Sequence, residues 1–156
     1  MTALPFIEDD GGRIAAGFKG EAGDCVTRAI AIASGLPYTQ VYDALAAGTL
    51  TQRRSKHDKA ARKRTARDGI HTTRKWFKDY MTEIGFTWTP TMSIGSGCKV
   101  HLRSDELPQG RLVVAVSKHY TAVIDGVCRD TYDPSRGGTR CVYGYWKYEG
   151  LRHDIY

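Results

Sequence analysis

The chain has 156 residues, of which 41% are hydrophobic, and this is enough to bury one ordinary core. Its longest strongly apolar run, residues 112–116, is far shorter than the ~20 residues of a membrane-spanning helix. The N-terminus also lacks the basic and then apolar pattern of a secretion signal. We therefore predict one domain over residues 1–156 that lies in the cytoplasm and has no membrane partner.

The positive charge of the chain is concentrated in one segment at about residues 50–68. This segment has eight basic residues and two acidic ones, so it carries by itself the formal net charge of +6 that the whole chain has. Attraction to a polyanion should therefore be local to this segment. The basic residues of this segment are Arg53, Arg54, Lys56, Lys59, Arg62, Lys63, Arg64 and Arg67.

Helices are predicted in the first half of the chain, after an irregular, glycine-rich lead-in. Asp24 is a suitable N-cap for the first helix, which is mostly apolar and should be buried on most sides, and Gly35 should end it. Gly48 and Gly85 should end the second and third helices. The predicted helices are Cys25–Ser34, residues 38–48 and residues 70–84.

The second half of the chain changes to strand-like patterns rich in β-branched and aromatic residues. Helices followed by strands predict an α+β protein, with N-terminal helices packed on a C-terminal antiparallel sheet. The tyrosines and tryptophan at residues 143–148 are expected in the core, although one face of that strand could line a substrate groove. The predicted strands are 86–89, 112–117, 120–124, 127–132 and 139–148.

Four scattered cysteines, Cys25, Cys98, Cys128 and Cys141, include no C-x-x-C pair. This spacing gives no support for a zinc knuckle or a redox dithiol, and the histidines show no ligand-like spacing, so we predict neither a metal nor a cofactor. We expect free thiols in a reducing compartment. An oxidised pair of Cys128 and Cys141, which both fall in predicted strands, is the alternative.

Cys25 is a candidate nucleophile because it stands at the first turn of a predicted helix. Unpaired backbone N–H groups and the positive end of the helix dipole favour the thiolate at such a position. The alternative is that Cys25 is an ordinary small core residue.

His119 and Asp130 are the candidate partners of this thiol. The Asp125-Gly126 dipeptide predicts a hairpin with a two-residue loop, which places Asp130 diagonally beside His119 on one face of the sheet. A carboxylate there would fix the tautomer and the orientation of the imidazole. With a three-residue loop, Asp133 would take this place, and as a further alternative His119 and Asp130 are an unrelated strand-edge pair.

These residues resemble the cysteine, histidine and Asn/Asp elements of the papain-like cysteine peptidases. The resemblance lies in Asp24-Cys25 at the start of a helix, His119-Tyr120-Thr121-Ala122-Val123 at the start of a hairpin, and Asp130-Thr131-Tyr132 on its return strand. Asp133-Pro134 is also similar to the Asp-Pro element of bacteriocin-processing peptidases. The resemblance implies a papain-like fold and a hydrolase that cleaves amide or isopeptide bonds in a protein or peptide through a thioester.

The chain is also similar, over nearly its full length, to small proteins of bacterial viruses. This similarity is carried by Gly23-Asp24-Cys25-Val26-Thr27-Arg28-Ala29-Ile30 and by Asp133-Pro134-Ser135-Arg136-Gly137-Gly138. It implies that the protein acts in the cytoplasm of an infected host cell.

The expected oxyanion donors are the backbone N–H of Cys25 and the ammonium of Lys19. Papain-like enzymes usually have a glutamine several residues before the nucleophile, and Lys19 stands at about that place. Because a lysine side chain is less preorganised than a glutamine, an inactive papain-like module that only binds is a third interpretation.

The basic segment supports a hypothesis of a different class, in which the chain binds DNA or RNA through phosphate contacts. Few aromatic residues lie among these charges, so stacking on single strands is not expected to contribute. The alternatives are an acidic protein partner or a solvated surface insertion.

Overall fold

The computed structural model describes residues 4–18, 24–51, 70, 72–93 and 95–150. Over these ranges the chain is an α+β protein with three α-helices and one six-stranded sheet. The helices are α1 (Cys25–Ser34), α2 (Tyr38–Leu50) and α3 (Lys75–Glu83). The strands are β1 (Phe6–Glu8), β2 (Phe86–Pro90), β3 (Arg111–Val116), β4 (His119–Ile124), β5 (Val127–Asp130) and β6 (Val142–Tyr148).

Helix α1 has the predicted bounds and packs against β4 and β3. Every residue after Cys25 in this helix is buried, as its apolar sequence predicts. Gly35 ends the helix in the left-handed conformation and donates its N–H to the carbonyl of Ala31. The helix that carries Cys25 is thus fixed against the centre of the sheet.

Helices α2 and α3 differ from their predicted bounds. Helix α2 continues past Gly48 to Leu50, and the indole of Trp76 packs where a Cβ of residue 48 would lie. Gly48 therefore permits close packing between the two helices and does not end α2. Helix α3 begins at Lys75 and not at residue 70, and it buries Phe77 and Met81 in the core.

The sheet has the strand order β1-β5-β4-β3-β6-β2 and is mixed. All neighbouring strands are antiparallel except β1, which pairs in parallel with β5. The prediction of a wholly antiparallel C-terminal sheet was therefore wrong at this edge, because the lead-in supplies a short parallel strand. The helices cover one face of the sheet, and residues such as Leu102 and Leu107 cover the other.

The hairpin between β4 and β5 has the predicted two-residue loop. Asp125 and Gly126 both have positive φ, at 48° and 77°, and Ile124 pairs with Val127 across the loop. Two positive φ values are the signature of a tight hairpin turn, so the predicted register is confirmed. This register fixes which acidic residue of the return strand lies beside His119.

Cys98 and Cys141 form a disulfide with a Cα–Cα distance of 5.8 Å, whereas Cys25 and Cys128 are free. The expectation of four free thiols was therefore wrong. The alternative pair was wrong as well, because β5, which carries Cys128, is separated from β6 by β4 and β3. Cys98 lies in a loop for which no helix or strand was predicted, and this loop brings it to Cys141.

The predicted basic segment at residues 50–68 lies outside the described residues, except for its first two positions. Its charge is a property of the sequence, and its proposed binding role stays a prediction. In the described part of the chain, no helix has both the length and the apolar character needed to cross a membrane.

Candidate active site

The thiol of Cys25 lies at the N-terminus of α1 and is half-buried. It lines the same cavity as His119 and Tyr120, the first two residues of β4. The side chain of Asp24 does not cap the helix, contrary to expectation, and instead binds Arg28, Arg13 and Tyr38. The first-turn amides of α1 are therefore not occupied by this carboxylate.

The His119 ring is held by Asp130. Nε2 of His119 lies 2.7 Å from Oδ2 of Asp130, and the same oxygen accepts the hydroxyl of Thr121 at 2.7 Å. Oδ1 of Asp130 accepts the backbone N–H of Thr131 at 2.7 Å. The Tyr132 ring packs against the imidazole, with 5.2 Å between centroids. Because Nε2 faces the carboxylate, Nδ1 is the ring nitrogen that remains for the thiol.

Asp133, the second choice for this position, is placed elsewhere. Its Oδ1 accepts the backbone N–H of Ser135 at 2.9 Å, just before the 3₁₀ turn Arg136–Gly138, and its side chain is exposed. Asp130 is therefore the carboxylate that contacts His119, as the two-residue loop requires.

The charges of the site are set by these contacts. Burial alone would raise the pKa of Cys25, but hydrogen bonds from His119 and Tyr120 and the charges of His119 and Arg28 lower it overall. Burial alone would lower the pKa of His119, but hydrogen bonds with Asp130 and Cys25 raise it to about 9. The pKa of Asp130 is likewise lowered by His119 and Thr121 against the effect of burial. All three shifts favour the charged forms, which are a thiolate, an imidazolium and a carboxylate.

The second free thiol, Cys128, has the opposite environment. It is fully buried, and burial raises its pKa to about 12 despite a hydrogen bond with Thr121. Cys128 is therefore a neutral core thiol, whereas the surroundings of Cys25 favour the thiolate.

A cavity of about 520 Å³ opens beside Cys25 and His119. Its walls are mainly apolar and aromatic, and the exposed side chain of Lys118 adds a cation. Tyr143 lies in this lining, so one face of β6 does border the cavity. A neighbouring cavity of about 270 Å³ shares Trp88 and Tyr120 with it. The main apolar and aromatic residues of the larger cavity are Val26, Ile70, Val116, Trp88, Tyr120 and Tyr143.

A buried ion network that the sequence interpretation missed surrounds Asp24. The carboxylate accepts the Tyr38 hydroxyl at 2.5 Å, lies 3.5 Å from Nη1 of Arg13 and pairs with Nη1 of Arg28. Nη2 of Arg28 lies 3.6 Å from Oδ1 of Asp130. The signal for this network was present in the sequence, because an arginine four residues after an aspartate in an apolar helix indicates a buried ion pair.

Lys19, the expected second oxyanion donor, lies outside the described residues. The backbone N–H of Cys25 is at the start of α1, where no carbonyl of the same helix can accept it. Among the described residues, no group of three or more His, Cys, Asp or Glu side chains could hold a metal ion.

In comparisons with known proteins, no protein-family model, no curated protein and no solved structure matches this chain. Membership of the papain-like superfamily therefore stays a prediction from the residues.

Proposed function

We propose that this chain is a cysteine-dependent hydrolase of the papain-like type that cleaves an amide or isopeptide bond. Cys25 is the nucleophile, His119 the general acid and base, and Asp130 the residue that orients the imidazole. The observation that carries the proposal is that the Cys25 thiol and the His119 imidazole line one open cavity, and that a buried carboxylate 2.7 Å from the imidazole holds it.

In the first half of the reaction, the Cys25 thiolate attacks the carbonyl carbon of the substrate and a C–S bond forms. The carbonyl π electrons move to oxygen, and the oxyanion accepts the backbone N–H of Cys25. The His119 imidazolium then gives its proton to the amide nitrogen as the C–N bond breaks. The amine leaves, and a thioester remains on Cys25.

In the second half, neutral His119 accepts a proton from water while the water oxygen attacks the thioester carbonyl. The C–S bond breaks, the acid product leaves and the thiolate is restored beside the imidazolium. Asp130 stays a carboxylate throughout, since its contacts with His119, Thr121 and Thr131 stabilise the charged form.

The cavity supports a substrate with an apolar or aromatic group next to the scissile bond. Trp88 and Tyr143 are among its lining residues and are partly exposed, so their faces can contact a ligand. Burying such a group would contribute roughly 25 cal/mol for each Å² of apolar surface removed from water. A peptide that presents a large apolar side chain there fits this lining better than a charged one.

The setting of this activity follows from the resemblance to small proteins of bacterial viruses. We propose that the enzyme acts on a protein or peptide in the host cytoplasm. In a reducing cytoplasm, Cys98 and Cys141 would be expected as thiols, and neither belongs to the proposed triad.

The proposal is tested by acylation of the protein with p-nitrophenyl acetate near neutral pH. We expect a burst of p-nitrophenol equal to the protein concentration and an acetyl thioester at Cys25, located by peptide mass spectrometry. Cys25→Ser is the matched control and should give no burst. A wild-type protein that releases p-nitrophenol no faster than Cys25→Ser would contradict the proposal.

The basic segment supports a second and independent proposal, that the chain binds nucleic acid. The observation in its favour is that positions 50–68 hold eight basic residues and two acidic residues. We expect a salt-sensitive mobility shift of labelled DNA or RNA that survives Cys25→Ala and disappears when the eight basic residues become glutamine. A shift that persists after this neutralisation would contradict the role of the segment.

A further inference from the structure

Arg28 is a buried arginine that lies about one helical turn after Cys25 on α1. The residue is 9% exposed. Nη1 of its guanidinium pairs with Asp24, the residue just before Cys25, and Nη2 lies 3.6 Å from Oδ1 of Asp130. One side chain thus connects the helix that carries the thiol to the carboxylate that holds His119.

The position of Arg28 is fixed from two sides. Asp24, its partner, is itself held by the Tyr38 hydroxyl and by Arg13. The lead-in loop packs directly over the helix at this point, and a Cβ at Gly11 would lie 3.1 Å from the carbonyl oxygen of Arg28. Gly11 has a φ of 70°, so a residue without a side chain suits both the conformation and the close approach. The covered network excludes water, which strengthens its electrostatic interactions.

We propose that Arg28 is a positioning residue of this site. This inference rests on the proposed function. By pairing with Oδ1 of Asp130, it leaves Oδ2 directed at Nε2 of His119, and it couples the strand β5 to the helix of the nucleophile. Breaking such a buried pair leaves a carboxylate whose orientation is set by Thr121, Thr131 and the imidazole itself.

Arg28 also influences the thiol directly, since residues three apart on a helix are neighbours on one face. The groups that bear on the Cys25 sulfur are His119 and Tyr120 from β4, Arg28 from α1 itself and Lys118 from the β3–β4 turn, which lines the same cavity. Asp130 from β5 acts through His119. Removing the Arg28 charge should therefore leave His119 as the main group that favours the thiolate.

The test is the pH dependence of Cys25 alkylation by iodoacetamide in Arg28→Gln and Arg28→Lys. We expect Arg28→Gln, which removes the charge, to raise the apparent pKa of the thiol by about one unit. Arg28→Lys keeps the charge but loses the two-pronged geometry, so it should retain the thiol pKa while acylation by p-nitrophenyl acetate slows about tenfold. If Arg28→Gln does not fold, the acylation rate of Arg28→Lys decides whether Arg28 positions the site.

Arg13→Gln is the matched control, because Arg13 also binds Asp24 and is buried. We expect it to lower stability and to raise the thiol pKa less than Arg28→Gln does, because it acts on the site through Asp24. The role of Arg28 would be overturned if the wild-type thiol has a low pKa that Arg28→Gln leaves unchanged, or if Arg28→Lys is acylated at the wild-type rate. Neither of these results would overturn the proposed hydrolase. An ordinary thiol pKa in the wild type would overturn the proposed hydrolase as well.

Discussion

The carboxylate of Asp130 holds the imidazole of His119, with 2.7 Å between Oδ2 and Nε2, and both side chains are buried. The contact follows from one local feature, the two-residue turn at Asp125 and Gly126, which sets the pairing of β4 with β5. A shift of one residue in this pairing would turn the carboxylate to the other face of the sheet. The contact between Asp130 and His119 therefore depends on the length of the turn.

Replacing Asp130 with alanine should reduce both reactivity and stability. The variant leaves the buried His119 without its carboxylate and removes one of the two carboxylates that pair with Arg28, so we expect a loss of about 3 kcal/mol in the free energy of unfolding. The apparent pKa of Cys25 should rise toward its ordinary value as the imidazolium loses its partner. Urea unfolding and the pH dependence of alkylation measure the two effects.

Asp133→Ala is the control for Asp130→Ala, since it removes an exposed aspartate three residues further along the chain. It should leave the thiol pKa unchanged and cost little stability, because the lost contact is one hydrogen bond from Ser135 N–H. Equal effects of the two substitutions would argue against Asp130 as the orienting residue.

The stability of the fold should depend on pH through His119. Its pKa is raised from 6.5 in the unfolded chain to about 9 in the folded one. The contribution of His119 is therefore complete below about 6.5 and is lost as the pH rises through about 9. Its size is on the order of 3 kcal/mol, since one pKa unit corresponds to about 1.4 kcal/mol.

The comparison of Cys25→Ala with the double variant Cys25→Ala/His119→Gln by urea unfolding across this pH range checks the sign, because the thiol of the wild type titrates in the opposite direction and would offset the change. We expect the difference in unfolding free energy between the two proteins to be largest at low pH in this window and to shrink toward pH 9 and above. A difference that grows with rising pH would contradict a raised His119 pKa.

The aromatic wall of the cavity should determine which acyl groups react. Trp88→Ala and Tyr143→Ala remove exposed ring surface from the lining without touching the triad. We expect the ratio of acylation rates for p-nitrophenyl hydrocinnamate and p-nitrophenyl acetate to fall about tenfold, as the apolar contact is lost. An unchanged ratio in both variants would place the apolar acyl group elsewhere.

The Cys98–Cys141 disulfide should stabilise the fold without supporting the site. The two residues are 43 apart in the sequence, and a bridge across such a loop contributes about 4 kcal/mol by restricting the unfolded chain. We expect Cys98→Ser to lower the unfolding free energy by this amount under oxidising conditions and to have no effect under reducing conditions. Alkylation of Cys25 should be the same in both proteins, and a slower rate would link the bridge to the site.

The residues that local patterns specify were predicted well. The bounds of α1 follow from an apolar run and Gly35, and the register of the β4–β5 hairpin follows from an Asp-Gly pair. Together these two features place Cys25 at the start of a helix and His119 beside Asp130, whereas the approach of the thiol to the imidazole depends on the packing of α1 against β4. The α+β class likewise follows from the order of the helix and strand patterns.

The features that depend on distant parts of the chain were missed. Strand β1 has only three residues and pairs in parallel with a strand more than a hundred residues away, so its sequence carries no signal of its own. Cys98 meets Cys141 through a loop without a regular pattern. Gly48 lies inside α2, where the absence of a side chain makes room for Trp76, and helix propensity alone could not anticipate this contact.

The central claim, that Cys25 is a thiolate paired with His119, is tested most directly by the rate of alkylation of Cys25 with iodoacetamide as a function of pH. Mass spectrometry should locate the label at Cys25 and not at the buried Cys128. We expect an apparent pKa well below the ordinary thiol value of 9.0 that returns toward it in His119→Ala. A slow thiol with the ordinary pKa, unaffected by loss of His119, would contradict the account.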